Sequence, residues 1–210
     1  MDVENLPRGI DTNATITRYL PCLRHAGFTF VCRYLGHNKS EPLTVVEAQA
    51  ISDANMSNVS IWEYGYPTDV HYFTPARGQQ DGALAYDYAH NLLNQPKQTP
   101  IYFTVDYDAA PHDLTSIANY FTQVRKQFQA LSAGGNNYFV GVYGNGLVCQ
   151  YLFNQGLVHF TWLAEPTDWG GANYDGWNIK QSVLHTEVCG LNSEDIDLNV
   201  TRGNGGGWKL

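Results

Sequence analysis

Carboxylates recur at the ends of strand-like segments in this chain. Asp11 closes RGID, Glu63 follows SIW, Asp106 and Asp108 close IYFTVDYD, Glu165 follows TWLA, and Asp197 lies within DIDLN. Where strands alternate with helices, strand ends gather at one rim, and that rim carries the chemistry of such folds. The i, i+2 spacing of Asp106-Tyr-Asp108 puts two carboxylates on one side of a strand, with Cα atoms about 7 Å apart. Two acids that close repel as anions, so one keeps its proton to a higher pH. A protonated acid beside an ionised one is the equipment for cleaving a glycosidic bond. Asp11, Asp106, Asp108 and Glu165 are therefore the candidate catalytic groups. Structural roles compete for two of them: Asp108 precedes Ala-Ala-Pro and could cap a helix, and Asp11 opens Asp-Thr-Asn, which suits an Asx-turn.

Glu63, Tyr143, Trp162, Trp169, Gln181 and Asp197 fall at late strand positions and are candidate substrate-binding groups. Tyrosine and tryptophan offer sugar rings an apolar face with a polar edge. Arg33 is a charge in the middle of the apolar run FVCRYLG. A buried guanidinium needs a carboxylate, and the acidic rim, Asp197 included, could supply one. Arg33 is counted with the substrate-binding set on that ground.

Other chemistries find little support. The formal charge is −8 with no basic run, which argues against nucleic acid as a partner. An acidic pocket suits a neutral or cationic substrate. Cys22, Cys32, Cys149 and Cys189 are too scattered for a zinc site. Cys22 and Cys32 read as small buried hydrophobes, with one disulfide still open. No metal or organic cofactor is expected. No GxGxxG follows the first strand, the glycines of FVGVYGNG lack the Lys-Ser/Thr of a phosphate loop, and no GxSxG occurs. Cys149 has only His185 as a weak partner for nucleophilic chemistry. No apolar run is long enough to span a membrane, and the N-terminus carries no Sec-type signal.

The elements that must position these residues alternate. GID is followed by a helix over Ile16 to His25, then FTFVCRYLG. Thr44-Val-Val-Glu47 is a capping box that starts a helix running to about Asn55. VSIWEYG is the third strand. Thr74-Pro75 reads as a cap and first-turn proline, with Ala83, Leu84, Tyr88, Leu92 and Leu93 on the apolar face behind it. IYFTVDYD, apolar on both faces, reads as a central parallel strand. Ile117, Tyr120, Phe121, Val124, Phe128 and Leu131 make one helical stripe. YFVGVYG, the helix LVCQYLFNQG, FTWLAEP, WNIKQSV and DIDLNV follow, with only a loop between the last two members of the FTWLAEP, WNIKQSV pair. Eight strands alternating with about five helices imply an α/β fold with a parallel sheet, a single compact (β/α)8-type TIM barrel whose late helices are shortened or missing. The barrel is expected over residues 1–202. Residues 203–210 form a glycine-rich C-terminal tail, flexible up to Trp208, which is placed to dock back on the body.

RGIDTN, FVCRYLG, PIYFTVDYDA, VGVYGN, TWLAEPTDW and DIDLN, in this order, resemble the glycoside-hydrolase-like proteins of the DUF1906 group, itself similar to the family 25 lysozymes. The resemblance covers roughly Arg8 to Val200 and implies a (β/α)8-type barrel acting on peptidoglycan. It aligns Asp11 with the acid that ends the lysozymes' first strand, Asp106 with the Asp of their Asp-x-Glu, and Asp197 with their last acid. Where those lysozymes have the Glu of that motif, this chain has Asp108, one methylene shorter. A misplacement of about 1 Å can cost two orders of magnitude in rate. Either the pocket is rebuilt around Asp108, or Glu165 or Glu63 supplies the acid, or the chain binds glycan without cutting it.

The function expected is a muramidase-like glycoside hydrolase of the bacterial cell wall, in which Asp108 or Glu165 is the acid and Asp106 a positioning carboxylate. The rivals are a non-catalytic glycan-binding barrel and an envelope protein whose acids bind cations. The expected partner is cell-wall glycan, met by a monomer without nucleic acid. The missing Sec signal fits secretion or delivery to the envelope by another route, with a secretion machine or an immunity protein as a further partner.

Overall fold

A computed structural model describes residues 5–36, 41–133, 137–164, 166, 169–184, 186–192 and 196–210. Its strands are β1 (Arg8–Thr12), β2 (Phe28–Gly36), β3 (Ser57–Trp62), β4 (Thr99–Thr104), β5 (Tyr138–Gly144), β6 (Phe160–Leu163), β7 (Ile179–Val183) and β8 (Ile196–Thr201). They close into a barrel in chain order. The helices are α1 (Leu20–His25), α2 (Val45–Asp53), α3 (Pro75–Asp87), α4 (Leu114–Leu131) and α5 (Gly146–Asn154). The stretch between β6 and β7 carries no helix among its described residues, as expected.

The sheet is not wholly parallel. β1 through β7 run parallel, but β8 is antiparallel to both its neighbours, β7 and β1. A parallel return needs a crossover, usually a helix, to carry the chain back across the barrel. No helix is described between β7 and β8, and β8 returns antiparallel to β7. The reversal puts Asp197, near the start of β8, on the same rim as the ends of the parallel strands. Asp11 and Asp197 face each other in register.

Alternation along the strands sorts the side chains. Phe30, Cys32, Val59, Ile61, Tyr102, Trp162 and Ile179 pack together inside the barrel. Ile10, Val31, Leu35, Ile101, Phe103 and Val105 face outward into the layer shared with the helices. Gly9 leaves room for that interior, since a Cβ there would lie 2.3 Å from the Phe30 ring.

Local signals explain the helix starts. The side chain of Thr44 accepts from Glu47 N, that of Thr74 from Arg77 N, and that of Asn145 from Val148 N. The capping box is only half made, because the Glu47 carboxylate goes to Arg33 and to Ile16 N instead. The stripe of α4 is buried from Ile117 to Phe128, but Leu131 is exposed. On α3 the buried face is Gly78, Asp81, Gly82, Ala85 and Tyr86, while Leu84 and Leu92 are exposed. The helix ends in a wider, π-type turn over Tyr88–Leu92, which breaks the 3.6-residue phase on which the expected stripe relied.

Two features tie down the ends of the chain. Cys22 and Cys189 form a disulfide with Cα atoms 5.9 Å apart, so Cys22 is not a free core residue; Cys32 and Cys149 are free and buried. Trp208 is buried, exchanges backbone hydrogen bonds with Asn58 and donates its indole N–H to Ser60 Oγ at 3.0 Å. Tyr102, from inside the barrel, donates to Gly205 O at 2.8 Å. Residues 205–208 thus cover the barrel end opposite Asp11 and Asp197.

Candidate active site

At the rim holding the ends of the parallel strands is a cavity of about 320 Å³. Inward-facing parity delivers its lining: Asp11 from β1, Tyr34 from β2, Ile61 and Glu63 from β3, Thr104 and Asp106 from β4, Tyr143 from β5, Trp162 from β6, Gln181 from β7 and Asp197 from β8. Pro166, Trp169 and Leu184 close it from the loops.

The floor is a hydrogen-bond network with little freedom in its polarity. Trp162 Nε1, which can only donate, donates to Asn199 Oδ1 at 2.9 Å. The Asn199 amide nitrogen must then face the other way, and it donates to Asp11 Oδ2 at 2.6 Å. Tyr143 OH donates to Gln181 Oε1 at 2.9 Å, turning Gln181 Nε2 toward Asp197 Oδ2 at 2.9 Å and Asp11 Oδ2 at 3.4 Å. Asp11 Oδ2 therefore receives two N–H groups. Its Oδ1 has no protein partner among the described residues.

Burial raises the Asp11 carboxyl to about 8; the neighbouring Asp197 charge adds to this, and the two amide donors offset part of it. At neutral pH Asp11 is a neutral acid. Burial, followed by the charges of Glu63 and Asp197, raises Asp106 to about 6. Burial and then Asp106 push the Tyr143 hydroxyl well above its ordinary value. Two carboxyls held at different pKa values in one cavity can share acid and base roles. Among the described residues no group of three or more His, Cys, Asp or Glu could hold a metal ion.

The structure separates the residues singled out by sequence. Asp11, Glu63, Asp106, Tyr143, Trp162, Trp169, Gln181 and Asp197 all line the cavity. Asp108 does not. β4 ends at Thr104, and beyond Asp106 the backbone turns, with Ala109 N bonded to Tyr107 O, so strand parity no longer holds at Asp108. Asp108 Oδ1 accepts from Gly170 N at 2.7 Å and Asn145 Nδ2 at 2.8 Å, anchoring the loop that presents Trp169. That loop lies tight on α5: Leu147 N donates to Gly170 O, and a Cβ on Gly146 would lie 1.7 Å from Gly171 O.

Arg33 is also outside the cavity. It has the parity of Val31 and Leu35 and points toward the helices. There it is fully buried, meets Glu47 through Nε and Nη2 at 3.0 and 3.1 Å, and donates to Thr12 O and Glu41 O. Its partner is Glu47, not Asp197 or the rim. Trp162 is 2 % exposed and packs edge-on against Tyr102 and Tyr143, so it is floor, not a stacking platform. Trp169 is half-buried at the rim. Cys149 is buried, and burial pushes its thiol up, the opposite of what a nucleophile needs. Glu165 and His185 lie outside the described residues.

Sequence reasoning missed Tyr34, Thr104 and Asn199. Each stands two residues from a residue that faces inward: Cys32, Asp106 and Asp197. Strand parity could have found all three.

Residues 21–201 match the family described as Rv2525c-like, glycoside hydrolase-like domain. The chain belongs to that family. It is 28% identical to the Bacillus subtilis protein YbfG over 98% of its own length and spans about a third of that relative, 30%. The Mycobacterium tuberculosis Tat-secreted protein Rv2525c, in complex with HEPES, superposes with a TM-score of 0.80 at 20% identity, covering 97% of this chain and 100% of that one. The bacterial lysozyme from Streptomyces coelicolor superposes at 0.56 with 12% identity, over 95% and 93%. At these identities the structures share the fold. The chain is thus a glycoside hydrolase-like barrel that has lysozymes among its structural neighbours.

Proposed function

We propose that this domain is a glycoside hydrolase of the lysozyme type that cleaves bacterial cell-wall glycan. The observation that carries the reading is Asp106. It is a carboxyl raised to about 6 by burial and by Glu63 and Asp197, in a cavity walled by aromatic and carboxylate side chains. A group with that pKa can protonate a leaving oxygen near neutral pH, a contribution of about 10²–10⁴ in rate. Asp106 takes the general-acid role first assigned to Asp108 or Glu165, since Asp108 is committed to the Trp169 loop. Glu63, the charge that bears most on Asp106 after burial, is the partner carboxyl. Asp11 offers a carboxyl raised by burial, Trp169 a stacking face, and Gln181 bridges Asp11 and Asp197 by donating to both. The domain works outside the cytoplasm: the Cys22–Cys189 disulfide suits an oxidising compartment, and the similar Rv2525c is Tat-secreted.

Reducing-end release from purified peptidoglycan, measured for the parent, Asp106→Asn and Glu63→Gln, tests this. Loss of about a hundredfold or more in kcat for Asp106→Asn, with glycan still bound, is the expected result. A second reading, glycan binding without cleavage, draws on Asp108: the residue aligned with the lysozymes' Glu is turned out of the cavity. Binding by the parent without any release of reducing ends would favour it.

A further inference from the structure

We propose that Asp81, buried in the helix layer, is a positioning residue for the cavity: through Arg77 and Tyr72 it fixes the loop that carries Glu63 and holds the backbone of Asp106. The inference rests on the acid–base reading of those two carboxyls and adds the group that sets their spacing.

Asp81 lies on α3 and is fully buried. Its Oδ2 accepts from Tyr72 OH at 2.6 Å, from Tyr120 OH of α4 at 2.8 Å and from Arg77 Nε at 3.0 Å. Its Oδ1 is buried with no hydrogen-bond partner. A carboxylate taken out of water with one oxygen bare is a poor source of stability, since apolar replacement of a buried ion pair is often neutral or better. What such a group supplies is direction, because donors from α3, from α4 and from the turn before α3 must converge on one atom.

That direction is passed to the rim. The Arg77 guanidinium is a rigid fork. With Nε on Asp81, its Nη2 donates to Tyr64 O at 2.5 Å. Tyr72 OH lies 2.6 Å from Asp81 Oδ2 and 2.6 Å from Tyr64 O, so its one proton serves the same two acceptors. Gly65 makes room for the fork: its φ is +82°, and a Cβ there would lie 2.8 Å from Arg77 Nη2. Tyr64 directly follows Glu63, so the carbonyl that Arg77 holds is one residue from a cavity carboxyl. Three residues on, Pro67 O accepts from Asp106 N at 3.0 Å. A single loop, described throughout, thus meets the backbone at both carboxyls, and Asp81 anchors it.

Slackening this loop moves Glu63 away from Asp106 and admits water over Asp106. Both changes lower the Asp106 carboxyl, because burial and then Glu63 are what raise it. Asp197 from β8, Tyr143 from β5 and Tyr34 from β2 also act on or with Asp106, but none of them belongs to the loop.

The test is an NMR titration of the Asp106 carboxyl carbon in the parent, Asp81→Asn, Arg77→Met and Tyr72→Phe, beside kcat and KM on solubilised peptidoglycan. Asp106 should titrate about half a pH unit or more lower in Asp81→Asn and Arg77→Met. Their kcat should fall between about tenfold and a hundredfold, with KM changed by less than about twofold. Tyr72→Phe should move both readouts the same way by less. Arg77 is partly exposed and Tyr72→Phe removes a single oxygen, so these two variants decide the matter if Asp81→Asn does not fold. Glu47→Gln, which breaks the buried Arg33 pair away from this loop, should leave the Asp106 titration in place. An unmoved Asp106 in Asp81→Asn and Arg77→Met overturns the inference, as does an equal move in Glu47→Gln. If the parent cleaves no glycan, the hydrolase reading falls and the titration still decides the inference. A lowered Asp106 with kcat unchanged upholds the inference and removes Asp106 as the general acid.

Discussion

Asp11→Asn should make this protein more stable at neutral pH. The folded carboxyl sits at about 8 against an ordinary 3.8, so between about pH 4 and pH 8 the native protein holds a proton that the unfolded chain releases. Stability therefore falls as pH rises through that window, at up to 1.36 kcal/mol per pH unit. Over the roughly three pH units from 3.8 to 7 the ceiling is about 4 kcal/mol, and titration shared with Asp197 brings it lower. Asparagine has the same shape: its oxygen can take the Asn199 and Gln181 donors now on Oδ2. The variant should gain up to about 10 °C in Tm at pH 7, with the gain shrinking to nothing near pH 4. Scanning calorimetry of parent and variant from pH 4 to 8 measures this. Parallel Tm curves across that range would refute the argument, because they would mean Asp11 is ionised in the native state at every pH tested.

Three more outcomes follow from the contacts. Asp108→Asn keeps the Oδ1 acceptor for Gly170 and Asn145, so stability should change by less than about 1 kcal/mol and glycan affinity should hold, while Asp108→Ala should weaken affinity through the Trp169 loop; titration of both variants checks this. Glu47→Gln leaves Arg33 buried without its counter-charge and should cost about 3–5 kcal/mol in urea unfolding, with the glycan affinity of the folded protein unchanged. Replacing Cys22 and Cys189 by serine opens a loop of 167 residues' separation and should cost about 5 kcal/mol on loop-closure entropy, read as a lower urea midpoint.

The barrel was legible because its strands and helices carry strong local signals: β-branched and aromatic runs, and caps at Thr44 and Thr74. The direction of β8 was not, because strand orientation depends on what spans the gap before it and leaves no trace in DIDLNV itself. The acidic rim was legible as a set. Within it, Asp108 was misplaced by carrying strand parity past the end of β4. Arg33 was misplaced by noticing its charge before its parity, which is that of Val31 and Leu35. Parity correctly applied gives Tyr34, Thr104 and Asn199. The network that sets Asp11 joins positions nearly two hundred residues apart, and only closure of the barrel reveals it.

The antiparallel seam between β1 and β8 governs when the site can exist. Asp11 meets Asp197, Asn199 and Gln181 only after the last strand has inserted beside the first, and Tyr102 meets Gly205 only after the chain beyond β8 has folded under the barrel. Pairings of such long sequence separation form late and slowly, because the intervening chain must be ordered first. A nascent or partly unfolded chain therefore carries its aromatics and acids without the geometry that gives them their pKa values. The cavity is a property of the closed ring, so its chemistry should switch on in one step with the final closure.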